Sequence, residues 1–299
     1  MGNALDDQML LHDDLKLKKI IRQLCQTSLR QGLSHERIKI WLNQFSAGPE
    51  TRLALLIIRY LIYRTDAQIY SLLDQSLRKA SLHFMLESDR DRVNWRHVFT
   101  REYNGIIFNF GPPKDPELSR PGGSGEIITR HLKKFGIPKS RNSYPSNFPN
   151  GLDNNEGYIM VDDGSFTGEQ IEPYIGKYTF LKNSDRAAVV LGLAHSDAIT
   201  LLKRTCPEVL IFYGELFSCE NSFQFMCVKW MEEGLWPYDE IHPVDLYLNV
   251  CKEKAKFVTP YYLGHGNQGL LLAYEHGIPD NSLQLLWDKS DTWQPLIER

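Results

Sequence analysis

From residue 96 onward the chain alternates short runs rich in β-branched and aromatic residues with amphipathic helix patterns, and few folds accommodate that alternation. The runs fall at 105–110, 158–161, 187–193, 209–213 and 270–274, and helix-like spacing fills 126–135, 168–178, 197–205 and 244–255. A strand that returns to its sheet through a helix runs parallel to the one before it, and a parallel sheet needs helices over its faces. The expectation for 96–299 is an α/β domain, a mostly parallel sheet flanked by helices. Neither an internal repeat nor a low-complexity tract interrupts it.

Residues 1–95 read differently. Apolar residues recur at three and four, as in Leu17, Ile20, Ile21, Leu24 and again in Ile38, Trp41, Leu42, Phe45, so a helical N-terminal domain is expected. Gly32 is placed to close the first helix, Ser34 to cap the second and Pro49 to open the third. Asp66 is placed to cap a fourth through Ile69, Leu73, Leu77 and Ala80. The stripe Trp41, Phe45, Tyr60, Tyr70 reads as bundle core, with a docking surface for another protein as the functional alternative. The charged stretch 87–92, ESDRDR, is the natural seam between domains 1–95 and 96–299.

At 299 residues with 42% hydrophobic residues the chain has material for a large core without disulfides or a metal. A net charge of -3, with no single-sign block, advertises no general polyanion-binding surface. Cys25, Cys206, Cys219, Cys227 and Cys251 are odd in number and never spaced as C-x-x-C, which fits reduced thiols, mostly in the core. Position 6 is Asp rather than the Ser or Thr of a myristoylation signal, no signal-peptide core follows, and the strongest apolar run, 53–58, ends at Arg59. A cytoplasmic location, away from membranes, is the expectation.

The chemistry concentrates at 158–171, where Tyr-Ile-Met-Val leads into Asp162, Asp163, Gly164, Ser165, Phe166, Thr167 and Gly168, then Glu169, Gln170 and Ile171. Two adjacent carboxylates at a strand tip can accept hydrogen bonds from a vicinal pair of hydroxyls, as on ribose. The turn after them offers backbone N–H groups and the Ser165 and Thr167 hydroxyls at a helix start, where phosphate is favoured. The plain alternative is a strand-turn-helix connection with Asp163-Gly164 as turn and Thr167 as cap. A carboxylate 4 Å from a phosphate costs about 4 kcal/mol at an effective dielectric of about 20. Glu169 must therefore point outward if phosphate binds there.

A second loop, Arg120-Pro-Gly-Gly-Ser124-Gly125-Glu126, suits either a pyrophosphate cradle or a flexible connection. Near the end, Gly264, His265, Gly266 and Gly269 precede a strand, and His276, Pro279, Asn281, Ser282, Leu283 and Trp287 follow it. His265 and His276 are site candidates or structural histidines.

The 158–171 segment resembles the PRPP motif of type I phosphoribosyltransferases, in which two acids after a hydrophobic strand contact ribose hydroxyls and a Thr-Gly loop holds the 5′-phosphate. Phe166 stands where purine enzymes often carry an acid, and Glu169-Gln170 depart from the usual continuation. Taken with the Gly-x-Gly and His-x-x-Pro-x-Asn-Ser-Leu residues of the ending, the chain resembles phosphoribosyltransferase-like domains of bacterial conflict systems, including the effector of some retrons. The resemblance implies a toxic anti-phage effector working on a phosphosugar or nucleotide, beside a reverse transcriptase, its DNA–RNA hybrid product (msDNA) and sometimes a helix-turn-helix protein. It implies that Asp162 and Asp163 bind ribose hydroxyls, that the 164–168 turn, including Phe166, lines the ligand, and that His276 or His265 assists the leaving group. Mg²⁺ is expected if PRPP is the substrate. A catalytically silent binding module and a salvage transferase are the alternatives.

Overall fold

In the computed structural model, residues 4–27, 29–113, 124–183 and 185–298 are described, with backbone alone for 4–11 and 124–126. Two compact units emerge, Met1–Asp66 with Cys219–Arg299, and Ala67–Ser218. They do not follow the expected seam near residue 95, which falls inside the second unit.

The first unit begins with three helices, α1 (Ala4–Gln26), α2 (His35–Leu42) and α3 (Pro49–Tyr60), and a short strand, β1 (Ile62–Arg64). Ser34 caps α2 by accepting the Arg37 N–H, and Pro49 opens α3, as their positions predict. Gly32 does not close α1, which stops at Gln26. Its positive φ of 90° serves the turn toward α2 instead.

The second unit opens with α4 (Asp66–Phe84, its first residue still in the first unit) and α5 (Trp95–Thr100). It continues through β2 (Ile107–Gly111), α6 (Ser124–Lys134), β3 (Glu156–Ser165), α7 (Glu172–Lys177), β4 (Ala187–His195), α8 (Ser196–Thr205) and β5 (Ile211–Phe217). The strands form one four-stranded parallel sheet in the order β2-β3-β4-β5. Every residue of β4 is buried, as a parallel strand covered on both faces requires. One face carries Tyr158, Met160, Val189 and Leu191 against Ile171 and Ile175 near α7 and Ile199 and Leu202 of α8. The other lies under α4, so close at Gly214 that a Cβ there would come 2.5 Å from the Leu72 carbonyl.

The chain then returns to the first unit with α9 (Phe223–Glu232), α10 (Pro243–Val250), β6 (Leu272–Tyr274) and α11 (Gln284–Trp287). A π-turn, Cys251–Ala255, extends α10. β6 pairs in parallel with β1, Ile62 opposite Leu272 and Arg64 opposite Tyr274. Trp41 of α2 donates its indole N–H to the Leu285 carbonyl at 2.9 Å, and its ring meets Trp293 edge-on at 6.1 Å. The aromatic stripe of the front helices is thus core, but core shared with the chain's end rather than with a bundle of its own. Tyr70 belongs elsewhere, stacked on Phe135 in the second unit.

Cys206, Cys227 and Cys251 are buried, Cys25 partly so and Cys219 exposed, all as free thiols. Burial pushes the Cys251 thiol up to about 12. Among the described residues no helix is long and apolar enough to cross a membrane.

Candidate functional site

β3 does not stop at Val161. Its register with β4 continues through Asp162 opposite Leu191, Gly164 opposite Leu193 and Ser165 opposite Ala194. The two acids therefore lie within the strand instead of beyond its tip, and side chains along a strand alternate between faces. Asp162 shares the face of Tyr158 and Met160, toward α7 and α8. Asp163 shares the opposite face with Ser165, under α4, where a Cβ on Gly192 would lie 2.7 Å from the Asp163 carbonyl and 3.6 Å from Leu73. The adjacent acids expected at a strand tip thus lie on opposite faces of β3. Both residues are buried, at 4% and 9% exposure, and Asp162 accepts the backbone N–H of Asp163 at 3.0 Å, steadying the strand end.

The turn after β3 has two features with different causes. Gly168 has a φ of 85°, and a Cβ there would sit 3.1–3.3 Å from Leu201 and Ala198 of α8. Backbone conformation and helix packing alone thus demand glycine. Several of the turn's hydrogen-bond donors, in contrast, have no structural employment among the described residues. Ser165 is 4% exposed, yet its hydroxyl has no hydrogen-bond partner among the described residues. The backbone N–H groups of Thr167, Gly168 and Gln170 likewise find no acceptor there. Buried polar groups in folded proteins are almost always paired, so an unpaired one calls for an explanation, of which a bound ligand is one. A hydroxyl and several N–H donors within six residues suit an anion. Phe166 is buried, Thr167 half-buried, and Glu169 exposed, so its carboxylate lies on the solvent side.

The helix that follows contributes less than its sequence pattern promised. Expected from residue 168, α7 begins at Glu172 and has six residues, with Pro173 in its first turn and no side-chain cap. Thr167 is not its cap. The positive φ of Gly168 and the bonds from Ile171 and Glu172 N–H to the Gly168 carbonyl, at 3.1 and 3.0 Å, form a separate bend ahead of it. A helix dipole acts over about one turn, so anion binding here rests on the bend itself.

Arg120 lies outside the described residues, and Ser124 and Gly125 are described only as backbone in the first turn of α6. His265 and His276 stand in the first unit, whereas 162–168 stand in the second. The turn holding His265 is built by its backbone: its N–H donates to the Asp280 carbonyl at 2.7 Å, and its carbonyl accepts the Asn281 amide at 3.1 Å. A Cβ on Gly264, whose φ is 75°, would overlap the Asn281 carbonyl. Ser282 Oγ donates to the Leu272 carbonyl at 2.7 Å and the Trp287 indole to the Ser282 carbonyl at 3.0 Å. The terminal signature is thus mainly a device for anchoring β6. His276 is the exception, its Nδ1 lying 2.8 Å from Asp66 Oδ1.

Sequence reasoning missed two residues beside these candidates. Asp66 looked like a helix cap, and only the β1–β6 pairing brings it to His276. His195 ends β4 and caps α8, its Nδ1 accepting the Asp197 N–H at 3.1 Å. A histidine between an apolar run and a helix pattern was the available signal.

A parallel sheet flanked by helices, with a bend carrying unpaired donors after its second strand, is consistent with a phosphoribosyltransferase-like domain. The chain belongs to the PRTase-CE family, whose model matches residues 38–299. The match begins within α2, so the family takes in most of α2 and all of α3 as well as the sheet, while α1 lies outside it. No curated protein and no solved structure gives a significant match.

Proposed function

We propose that this chain binds a 5′-phosphorylated ribose compound at 163–170 and acts at its anomeric carbon. The observation that carries the reading is the unpartnered Ser165 hydroxyl beside the uncommitted N–H groups of Thr167, Gly168 and Gln170. The phosphate takes those donors. Asp163, on the same face as Ser165, is the carboxylate for a ribose hydroxyl, and Asp162 holds the backbone from the other face. In transfer from PRPP the C1–O bond breaks, pyrophosphate leaves with the electron pair, and the acceptor's lone pair forms the new bond to C1 while its proton passes to solvent. A carboxylate near C1 favours the positive charge that develops there.

Among the described residues no group of three or more His, Cys, Asp or Glu converges to hold a metal. A magnesium ion would therefore depend on the phosphate oxygens of the ligand and on water, as this ion commonly does, with Asp163 able to add one carboxylate. Calorimetry with PRPP, ribose 5-phosphate and NAD, with products followed in parallel, tests the reading; no binding of any of them overturns it. Binding without turnover selects a second reading, a silent ligand-binding module, which the divergent acids and the buried Phe166 favour.

At the level of the cell, the reading extends to an anti-phage effector held in check by a reverse transcriptase, its msDNA and a helix-turn-helix protein. Its support is the resemblance of the terminal residues to such effectors. Asp163→Asn in the complete operon is expected to abolish toxicity and defence, and unchanged defence counts against the extension.

A further inference from the structure

The exposed residues of α8 (Asp197, Thr200, Lys203, Arg204 and Thr205) are all polar, as a helix with one buried stripe should show. α9 differs. Its inward stripe is Phe223, Cys227 and Trp230, where Phe223 meets Tyr247 of α10 at 4.9 Å and Trp230 meets Tyr60 at 5.6 Å. Phe225, Val228 and Met231, three residues apart on the other side, are 41%, 46% and 36% exposed. Single apolar side chains at a surface are ordinary, but three in line on one helix form a patch.

The charge that follows this patch along the chain has one sign. Between Lys229 and Lys252 stand five acids, Glu232, Glu233, Asp239, Glu240 and Asp245, and neither Lys nor Arg. All five are exposed, and none has an ion-pair partner among the described residues. Glu232 follows Val228 by four residues and Phe225 by seven, so it continues the apolar line at its C-terminal end. Glu233 is the C-cap. The carbonyls of that helix end already carry partial negative charge, so two acids beside them are poorly placed in the free chain and well placed to receive a cation. Lys229, three residues before Glu232, is the one base of α9.

An acidic surface repels nucleic acid and the anionic face of a membrane. A second copy would set one acid-rich surface against another. A protein helix with an apolar stripe flanked by basic residues matches both the patch and its charge. We propose that the outward face of α9 docks a basic amphipathic helix of another protein, its apolar side chains against Phe225, Val228 and Met231 and a Lys or Arg at Glu232 and Glu233. The face from Phe225 to Glu232 is about 10 Å long, so about two turns of a partner helix cover it. It lies wholly in the first unit, and the proposal is independent of whether the bend at 165–170 binds phosphate.

The test pans a phage-displayed library of amphipathic helices, apolar on one stripe and random elsewhere, on the full chain. Selected sequences are expected to carry more Lys and Arg than Asp and Glu beside the stripe. As synthetic peptides they are expected to bind Val228→Ser about tenfold more weakly than the unaltered chain in fluorescence anisotropy. Val228 is exposed, so the thermal midpoint of that variant is expected to hold. Glu232→Lys combined with Glu233→Lys removes acids from the helix end, keeps the fold, and is expected to weaken the same peptides about tenfold. Absence of enriched sequences, enrichment without a basic excess, or undiminished binding by either variant overturns the proposal. So does a dimer in sedimentation that Val228→Ser dissolves, which assigns the face to a second copy.

Discussion

Two glycine-bearing turns in this chain are alike in composition and opposite in how they use their polar groups. The bend at 165–170 leaves the buried Ser165 hydroxyl and several N–H groups unpaired among the described residues, while in the turns at 264–283 the His265 N–H, the Asn281 amide and the Ser282 hydroxyl are committed to carbonyls around β6. Glycine occurs in both because Gly168 and Gly264 have positive φ and tight neighbours, so glycine does not tell them apart. Hydrogen-bond accounting does at two serines: the Ser282 hydroxyl bonds a carbonyl, whereas the Ser165 hydroxyl has no partner among the described residues.

Substitutions can break or sharpen that contrast. The largest effect is expected from Gly264→Ala, where a Cβ meets the Asn281 carbonyl at positive φ; a loss of about 3 kcal/mol or more is expected in denaturant unfolding. Tryptophan fluorescence is a suitable probe, because Trp41, Trp230, Trp236, Trp287 and Trp293 all lie in that unit. Tyr63 comes next. Burial, then Glu275 and Asp66, push its hydroxyl from 10.0 to about 12. Since the folded form holds this proton more tightly, its contribution is intact below pH 10 and is lost as pH rises toward 12. Alkaline unfolding curves are expected to lose about 2–3 kcal/mol over that window, and Tyr63→Phe to flatten this part of the dependence.

Ser282→Ala and Asn281→Ala are each expected to cost about 1–2 kcal/mol by leaving buried groups unpaired, without altering ribose 5-phosphate binding. Ser165→Ala is expected to do the reverse. It removes a hydroxyl that stabilises nothing in the folded chain, so the thermal midpoint should hold or rise slightly, while ribose 5-phosphate binding weakens by about fivefold to tenfold in calorimetry. A clear fall in the midpoint of Ser165→Ala would erase the distinction between the two turns.

The parallel sheet was legible because strands covered on both faces, such as Ala187–His195, read as unbroken apolar runs between helix patterns. The front helices were legible from their spacing and from Ser34 and Pro49 at the starts of α2 and α3. β1 was not: its three residues continue the apolar pattern of α3, and its partner lies at the other end of the chain. That one omission shifted the domain boundary and hid the contact between Asp66 and His276. At the site the loop could be read by residue type, but the divergence of Asp162 and Asp163 depends on β3 running on to Ser165, which only cross-strand register reveals.

The crossing from β1 into α4 and the return at Cys219 make the sheet unit an insertion within the other. During synthesis the sheet is complete well before Leu272 is made, so it can fold while the first three helices still lack half of their core. Translation that halts before β6 leaves Trp41 and Phe45 without Trp293, and such a product would present sticky apolar surface to chaperones and proteases.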